Sequence, residues 1–365
     1  MYKLSKFQII CVLSTSFLPL LFWIFPRYAA YQAGADGQWA VLGACLVGLF
    51  SAYLHGLLNT YFPKQTGVEM ATALYGKVLG KLVVSSFIPG YLLFVSISLY
   101  SYSITVKQIL PNTPRLATAG ALALVSVIGA MYGIEAISRV ASITFPVVMF
   151  VLSLSYIFVF FRGAWTGVFL HPVSITRSIS GAVDLLPIFF GQNLYLMLSP
   201  YYDRRKRNAL WLPLVATGIG SIYVIVVYIV SIRVVGYEGL RVLAHPVDFV
   251  LQLVQLQGLI IQRFGIGLIF ISTMFQAVFY ANHLWALSEL SRRMFNLQKS
   301  SEKWFILTYA VTIVMVFQLV PNQQVGDWIV FNILVPLSWV YLVIEPLMKL
   351  LTYYLRQKLT AFASG

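Results

Sequence analysis

Charge is scarce in this 365-residue chain: only 10% of its residues are charged, with 11 Asp and Glu against 25 Lys and Arg. A soluble domain carries about 25% charged residues, so composition alone excludes a water-soluble enzyme. Cysteine is nearly absent too. The two present, Cys11 and Cys45, each lie inside an apolar run, which leaves neither a disulfide framework nor a spaced set of metal ligands. No glycine-rich phosphate loop, nucleophile elbow or paired metal-ligand motif occurs. The chain is therefore read as a non-enzyme without cofactor or metal, and not driven by ATP. The formal charge of +14 sits in short clusters between apolar runs, which marks membrane topology rather than nucleic-acid binding.

What the chain has instead is hydrophobic sequence, 59% of all residues, with a mean hydropathy of +0.83. About 20 apolar residues cross a bilayer as a helix. Runs of that order, bounded by polar residues, give ten spans at 7–25, 38–62, 82–106, 115–134, 140–161, 181–200, 209–232, 264–288, 303–320 and 328–354. Backbone groups in hydrocarbon must bond internally, and the runs are too long for the alternating segments of a barrel, so an all-α membrane protein is expected. Lys3 and Lys6 precede the first run as in a signal peptide. No small-x-small cleavage site follows before Pro26, and the run is read as the first span. One integral membrane domain, 1–365, accounts for the chain, with short interfacial helices expected within 63–80 and 237–263.

An even number of spans puts both termini on one side of the membrane. If that side is the cytoplasm, 17 Lys and Arg fall in cytoplasmic segments and 8 outside or near the outer ends. The positive-inside rule then places both termini in the cytoplasm.

Acids and broken helices inside the bilayer are where a site belongs, because buried charge is costly and irregular backbone survives only around a cavity. Asp184, beside Arg177 and Arg162, and Glu345, four residues before Lys349, are the acids placed nearest hydrocarbon. Span 1 carries Ser14-Thr15-Ser16-Phe17-Leu18-Pro19, and span 6 carries Pro187-Ile188-Phe189-Phe190-Gly191-Gln192-Asn193. Proline removes a helix hydrogen bond and hydroxyls can re-bond the freed carbonyls. These interruptions open the two five-helix halves at corresponding positions, the sequence mark of a transporter-type site at mid-membrane. Tyr91, Val95, Ser98 and Tyr102 share a face of span 3, while Ser272, Thr273, Gln276, Tyr280 and His283 form a polar stripe in span 8. The candidate ligand-binding set is Ser14, Ser16, Phe17, Leu18, Tyr91, Val95, Ser98, Phe189, Gly191, Gln192, Asn193, Thr273 and Gln276.

Several short stretches also occur in a familiar order. They are Phe25-Pro26-Arg27 with Ala33-Gly34-Ala35-Asp36-Gly37-Gln38-Trp39, then Leu110-Pro111-Asn112-Thr113-Pro114, then Tyr132-Gly133-Ile134-Glu135-Ala136-Ile137-Ser138-Arg139. Phe190-Gly191-Gln192 with Pro200 and the basic run Arg204 to Arg207, and Gly236-Tyr237-Glu238 with His245-Pro246, complete the set. Together they resemble the B subunits of bacterial spore germinant receptors, a family similar to the amino acid–polyamine–organocation transporters. The resemblance implies two inverted five-helix repeats, about 7–161 and 181–354, with helices 1 and 6 broken and a pocket lined by helices 1, 3, 6, 8 and 10. It also implies a subunit in the inner membrane of the dormant spore that senses a small nutrient, typically an amino acid. Its partners would be an A subunit forming an ion-conducting oligomer and a lipoprotein C subunit. Relatives place glycine where this chain has Phe17-Leu18-Pro19, often an acid at Gln192, and tryptophan at His245. A bulkier or more apolar effector is expected for a pocket lined by Phe17, Phe189 and Tyr91. An ion-coupled secondary transporter of an amino acid or amine is the alternative.

Overall fold

The computed structural model describes residues 3–21, 24–161, 173–202, 206–253 and 264–363, which form helices and no strand. Arg162, Arg204, Arg205 and Arg263 of the charge count lie outside these residues.

Span 1 differs most from expectation. It comprises α1 (Lys6–Leu21) and a second helix, α2 (Phe25–Ala33), so it extends past the expected end at residue 25. Pro26 lies in the first turn of α2, where its fixed φ suits a helix start. The hydroxyl run does not break the helix. Thr15 donates to the Cys11 and Val12 carbonyls at 2.8 and 2.9 Å and Ser16 to Val12 at 2.6 Å, so the hydroxyls bond back along a helix that holds through Pro19.

Span 2 is α3 (Gly37–Tyr61). The expected interfacial helix that follows is in fact two, α4 (Gly67–Tyr75) and α5 (Lys77–Ser85). Thr66 and Glu69 form a capping box that starts α4, and Gly76 at φ +84° turns the chain between the two. Spans 3, 4 and 5 are α6 (Phe87–Ile109), α7 (Arg115–Met131) and α8 (Gly133–Phe160). Span 6 is interrupted as expected: α9 (Ile175–Asp184) gives way to narrow 3₁₀ turns over Leu186–Leu194 before the short α10 (Tyr195–Leu198). Such turns rarely persist beyond three or four residues.

Span 7 is α11 (Lys206–Val242), kinked at Gly236, and the interfacial helix after it is α12 (Pro246–Gln252). Spans 8 and 9 are α13 (Phe264–Phe295) and α14 (Glu302–Gln318). Span 10 consists of α15 (Gln323–Ile329), α16 (Val335–Trp339) and α17 (Glu345–Ala363), joined by wide π turns at Val330–Leu334 and Val340–Ile344. Pro336 and Pro346 each follow a π turn; a proline lacks the N–H to bond the preceding turn, and the helix widens there. Among the described residues, seven helical stretches are long and apolar enough to span a membrane, and α1 and α7 are shorter apolar helices. With α13 they account for ten spans.

The packing shows the internal symmetry. Helices 2 and 7 of the ten, α3 and α11, lie together; α3 packs on α9, while α11 packs on α1 and α2; α6 packs on α14 and α7 on α13. Exchanging each span with the one five places on maps these pairings onto one another. Five is odd, so the second half enters the membrane from the opposite side and the repeats are inverted. Exposed apolar side chains such as Val125, Ile143, Phe150 and Met315 form the outer surface, as a lipid environment requires.

Candidate binding site between the broken helices

The two interrupted spans meet directly. A Cβ at Gly191 would lie 1.8 Å from the Ser16 carbonyl oxygen, so only glycine lets the unwound segment approach α1 so closely. The Phe17 and Phe189 rings sit 5.8 Å apart beside this contact. Proline and π turns free carbonyls, and the neighbours take them up. Gln276 of α13 donates to the Pro19 carbonyl at 3.1 Å and accepts from Ser98 at 3.3 Å. Asn282 donates toward the Val12 carbonyl, Thr15 and Ser16 at 3.2, 2.9 and 3.0 Å. Ser16, Phe17, Ser98, Phe189, Gly191 and Gln276 therefore stand together across helices 1, 3, 6 and 8.

The remaining candidates divide. Leu18 is buried beside Gly220. Tyr91 is buried with its ring 4.9 Å from that of His283, and Val95 offers its carbonyl to Tyr280 at 2.8 Å. Thr273 pairs with Tyr102 at 2.8 Å. Two candidates turn away from the contact: Gln192 donates to Thr217 of α11 at 2.9 Å, and Asn193 faces His55 of α3 at 3.1 Å. Asp184 forms no ion pair with Arg177 among the described residues. Asn282 escaped the sequence reading although an amide in the middle of an apolar run is itself a signal.

Not every polar atom here is satisfied. Ser14 Oγ, Tyr91 Oη and Asn282 Oδ1 are buried without a partner, as is Gln192 Oε1 on the side turned to α11. A buried polar atom left unpaired costs about 1–3 kcal/mol, and a cluster of them calls for a reason. The set is uncharged and ringed by Phe17, Phe94, Phe189 and Phe190, all fully buried.

Ion pairs close the bundle above and below. At the end remote from the N-terminus, Arg27 Nη2 meets Asp327 Oδ2 at 3.0 Å, and Tyr28 and Gln323 both donate to Asp327 Oδ1 at 2.8 Å. At the near end Glu289 receives Arg292 at 2.9 Å, Arg293 at 2.5 Å and the Tyr201 hydroxyl at 3.2 Å. Arg292 also holds Glu302 at 2.6 Å and Arg293 holds Glu69 at 2.7 Å. Tyr201 in turn accepts from the Leu4 amide at 2.7 Å, which ties the N-terminal segment to this end. Among the described residues no three His, Cys, Asp or Glu gather as metal ligands.

A family model for spore germination proteins, the spore permeases, matches residues 3–325. The chain belongs to that family. The Bacillus subtilis spore germination protein YndE is 22% identical over 275 residues, covering 71% of this chain and 73% of YndE. Among solved structures, MhsT in complex with L-phenylalanine superposes with TM-score 0.68 at 14% identity, covering 93% of this chain and 88% of MhsT. Mhp1, a nucleobase-cation-symport-1 family transporter closed around bromovinylhydantoin, gives 0.64 at 12% identity, with 93% and 78% covered. A Na⁺-coupled sialic acid symporter gives 0.63 at 14% identity, with 93% and 77% covered. This spore germination protein is thus a membrane protein with the fold of secondary transporters, and its inverted repeats and broken helices follow that fold.

Proposed function

We propose that this protein is the nutrient-sensing membrane subunit of a spore germinant receptor, binding a small germinant between helices 1, 3, 6 and 8. The observation that carries this reading is the cluster of unpartnered, uncharged polar atoms around the Ser16–Gly191 contact. Donors and acceptors of that kind suit an amino acid or similar neutral or zwitterionic molecule, and the surrounding phenylalanines suit an apolar side chain. The MhsT ligand, L-phenylalanine, is accordingly the first probe. The ligand would favour one of two packings of the broken helices and pass that bias to receptor A and C subunits. In this reading the near end and both termini lie in the cytoplasm, which the excess of Lys and Arg in those segments supports, and the spore inner membrane is the host bilayer.

A thermal-shift screen of the purified protein against amino acids, sugars and purines tests the reading. A binder at 100 times its Kd adds about 2.7 kcal/mol, and Gly191→Leu, which clashes with the Ser16 backbone, abolishes the shift. No shift with any member of the panel overturns it. The second reading, an ion-coupled transporter of an amino acid or amine, is favoured by paired closures at both ends of the bundle. Gradient-driven uptake into proteoliposomes supports that reading, and its absence across the panel removes it.

A further inference from the structure

A second cavity lies at the near end of the bundle and shares no residue with the germinant pocket. It opens where the end of α3, the turn Ser199–Tyr201 that closes span 6 and the start of α11 come together. The space open to water there is about 240 Å³, and Asn59, Thr60, Lys64, Ser199, Tyr202 and Ala209 line it. One turn deeper, α3 and α11 touch. A Cβ at Gly56 would lie 3.0 Å from the Leu210 Cα, so the cavity is closed toward the bilayer interior.

Its walls are polar and largely buried. Asn59 is 2% exposed, Ser199 5% and Tyr202 7%. The Asn59 amide nitrogen donates to the Tyr195 carbonyl at 3.3 Å, which fixes the amide and leaves Oδ1 buried without a partner. Thr60 gives its proton to the Gly56 carbonyl at 2.9 Å, so it too presents lone pairs. Ser199 and Tyr202 add hydroxyls that can donate or accept. Lys64, just past the end of α3, stands exposed at the rim. Among the described residues no carboxylate pairs with Lys64, and none lines the cavity.

Hydration alone accounts poorly for this arrangement. One or two waters, at roughly 10–15 Å³ each, would satisfy Asn59, and the cavity holds far more. Close packing ordinarily removes such space, and a buried acceptor left unpaired lowers stability. The walls are ordered by charge, with a cation at the rim and acceptors behind it. Their complement is a molecule that carries an anionic group beside hydrogen-bond donors. Basic pockets between spanning helices at the membrane surface take lipid phosphates, and the ends of spans 2, 6 and 7 meet at that surface.

We propose that this cavity binds a phosphate ester bearing a hydroxyl or an amine, as in a phosphatidylglycerol or phosphatidylethanolamine headgroup. Lys64 holds the phosphate, and Asn59 Oδ1 accepts from the hydroxyl or ammonium. The occupant stands on the joint that fixes the inner half of helix 6. Asn59 ties Tyr195 of α10 to α3, and the Tyr195 hydroxyl reaches the Ala209 carbonyl of α11 at 2.6 Å and the Tyr202 hydroxyl at 3.1 Å. A filled cavity therefore braces α10 against helices 2 and 7.

Native mass spectrometry of the full chain in detergent tests it, with phosphatidylglycerol, phosphatidylethanolamine and phosphatidylcholine added singly at equal concentration. Phosphatidylcholine has the phosphate but no N–H or O–H beyond it, so it separates recognition of the headgroup from attraction of any lipid. The first two lipids are expected to be retained about fivefold or more over the third. In Lys64→Glu, a change at an exposed position, their retention is expected to fall about fivefold or more. Lys303→Glu, exposed elsewhere at the same end, is expected to keep the parent value. Asn59→Leu is expected to bring both lipids down to the phosphatidylcholine level; if that variant does not fold, the two lysine variants decide. Glycerophosphoethanolamine, a headgroup without acyl chains, distinguishes the sources. Retention of the lipids identifies the bilayer as the source, and retention of the soluble ester alone identifies a free solute. Equal retention of phosphatidylcholine, no retention of any ester, or an undiminished value in Lys64→Glu overturns the proposal.

Discussion

At the far end of the bundle a single carboxylate, Asp327, gathers Arg27, Tyr28 and Gln323, whereas at the near end Glu289 shares two arginines with Glu69 and Glu302. The far pair is partly open to water, with side chains 21% and 17% exposed, while Glu289 is 1% exposed. A charge that is buried and multiply bonded holds its partners far more firmly than one in contact with solvent. The near closure also ties four elements and the N-terminal segment together, the far one only two ends of helices. The protein is therefore built to open more readily at the far end, the one remote from its N-terminus.

Four experiments sharpen or break this comparison. Glu289→Ala removes the buried carboxylate that Arg292 and Arg293 share, leaving each with one remaining partner, Glu302 and Glu69, and is expected to cost about 3 kcal/mol, read as a large fall in Tm of the detergent-solubilised protein. Asp327→Asn removes a charge but keeps a hydrogen-bonding group, and the expected loss is about 1–2 kcal/mol with faster labelling of a cysteine placed at the exposed Tyr31. Equal losses for the two variants would erase the asymmetry.

The third test is pH. Burial alone would raise the Glu69 carboxyl, but hydrogen bonds from Thr66 and the Arg293 guanidinium outweigh it and hold the group below its ordinary value of 4.5. A depressed folded-state value means that the contribution is present above the ordinary carboxylate range and is lost as pH falls through the folded value. Tm is thus expected to hold from neutral pH to about pH 5 and to drop below it, with a shallower drop in Glu69→Gln. The smallest effect belongs to Glu135→Gln, whose exposed pair with Arg139 at 2.6 Å contributes within about 0.5 kcal/mol. A larger loss there would mean that surface pairs matter as much as the closures.

Much of the fold was legible from residue order because lipid leaves few choices. Runs of apolar residues had to be helices, and prolines with glycine and amides at Pro187–Asn193 marked the unwound stretch of helix 6. The break in helix 1 was displaced in the sequence reading, since Ser14, Thr15 and Ser16 could equally free carbonyls or bond back to them, and only the neighbours decide. The polar start of α2 looked like a loop because Arg27 and Tyr28 find their partner Asp327 some 299 positions later. Gln192 and Asn193 belong to the expected segment, yet which helices they address depends on how the 3₁₀ turns rotate them.

Sequence by itself determined a ten-span helical membrane protein in two five-helix halves, because the cost of unbonded backbone and charge in hydrocarbon acts locally on every run of residues. Tertiary structure alone decided where helix 1 stops, which amides cap the freed carbonyls and which acids meet which arginines. Those outcomes depend on side chains far apart in the chain being brought within hydrogen-bonding distance, and no local rule encodes that distance.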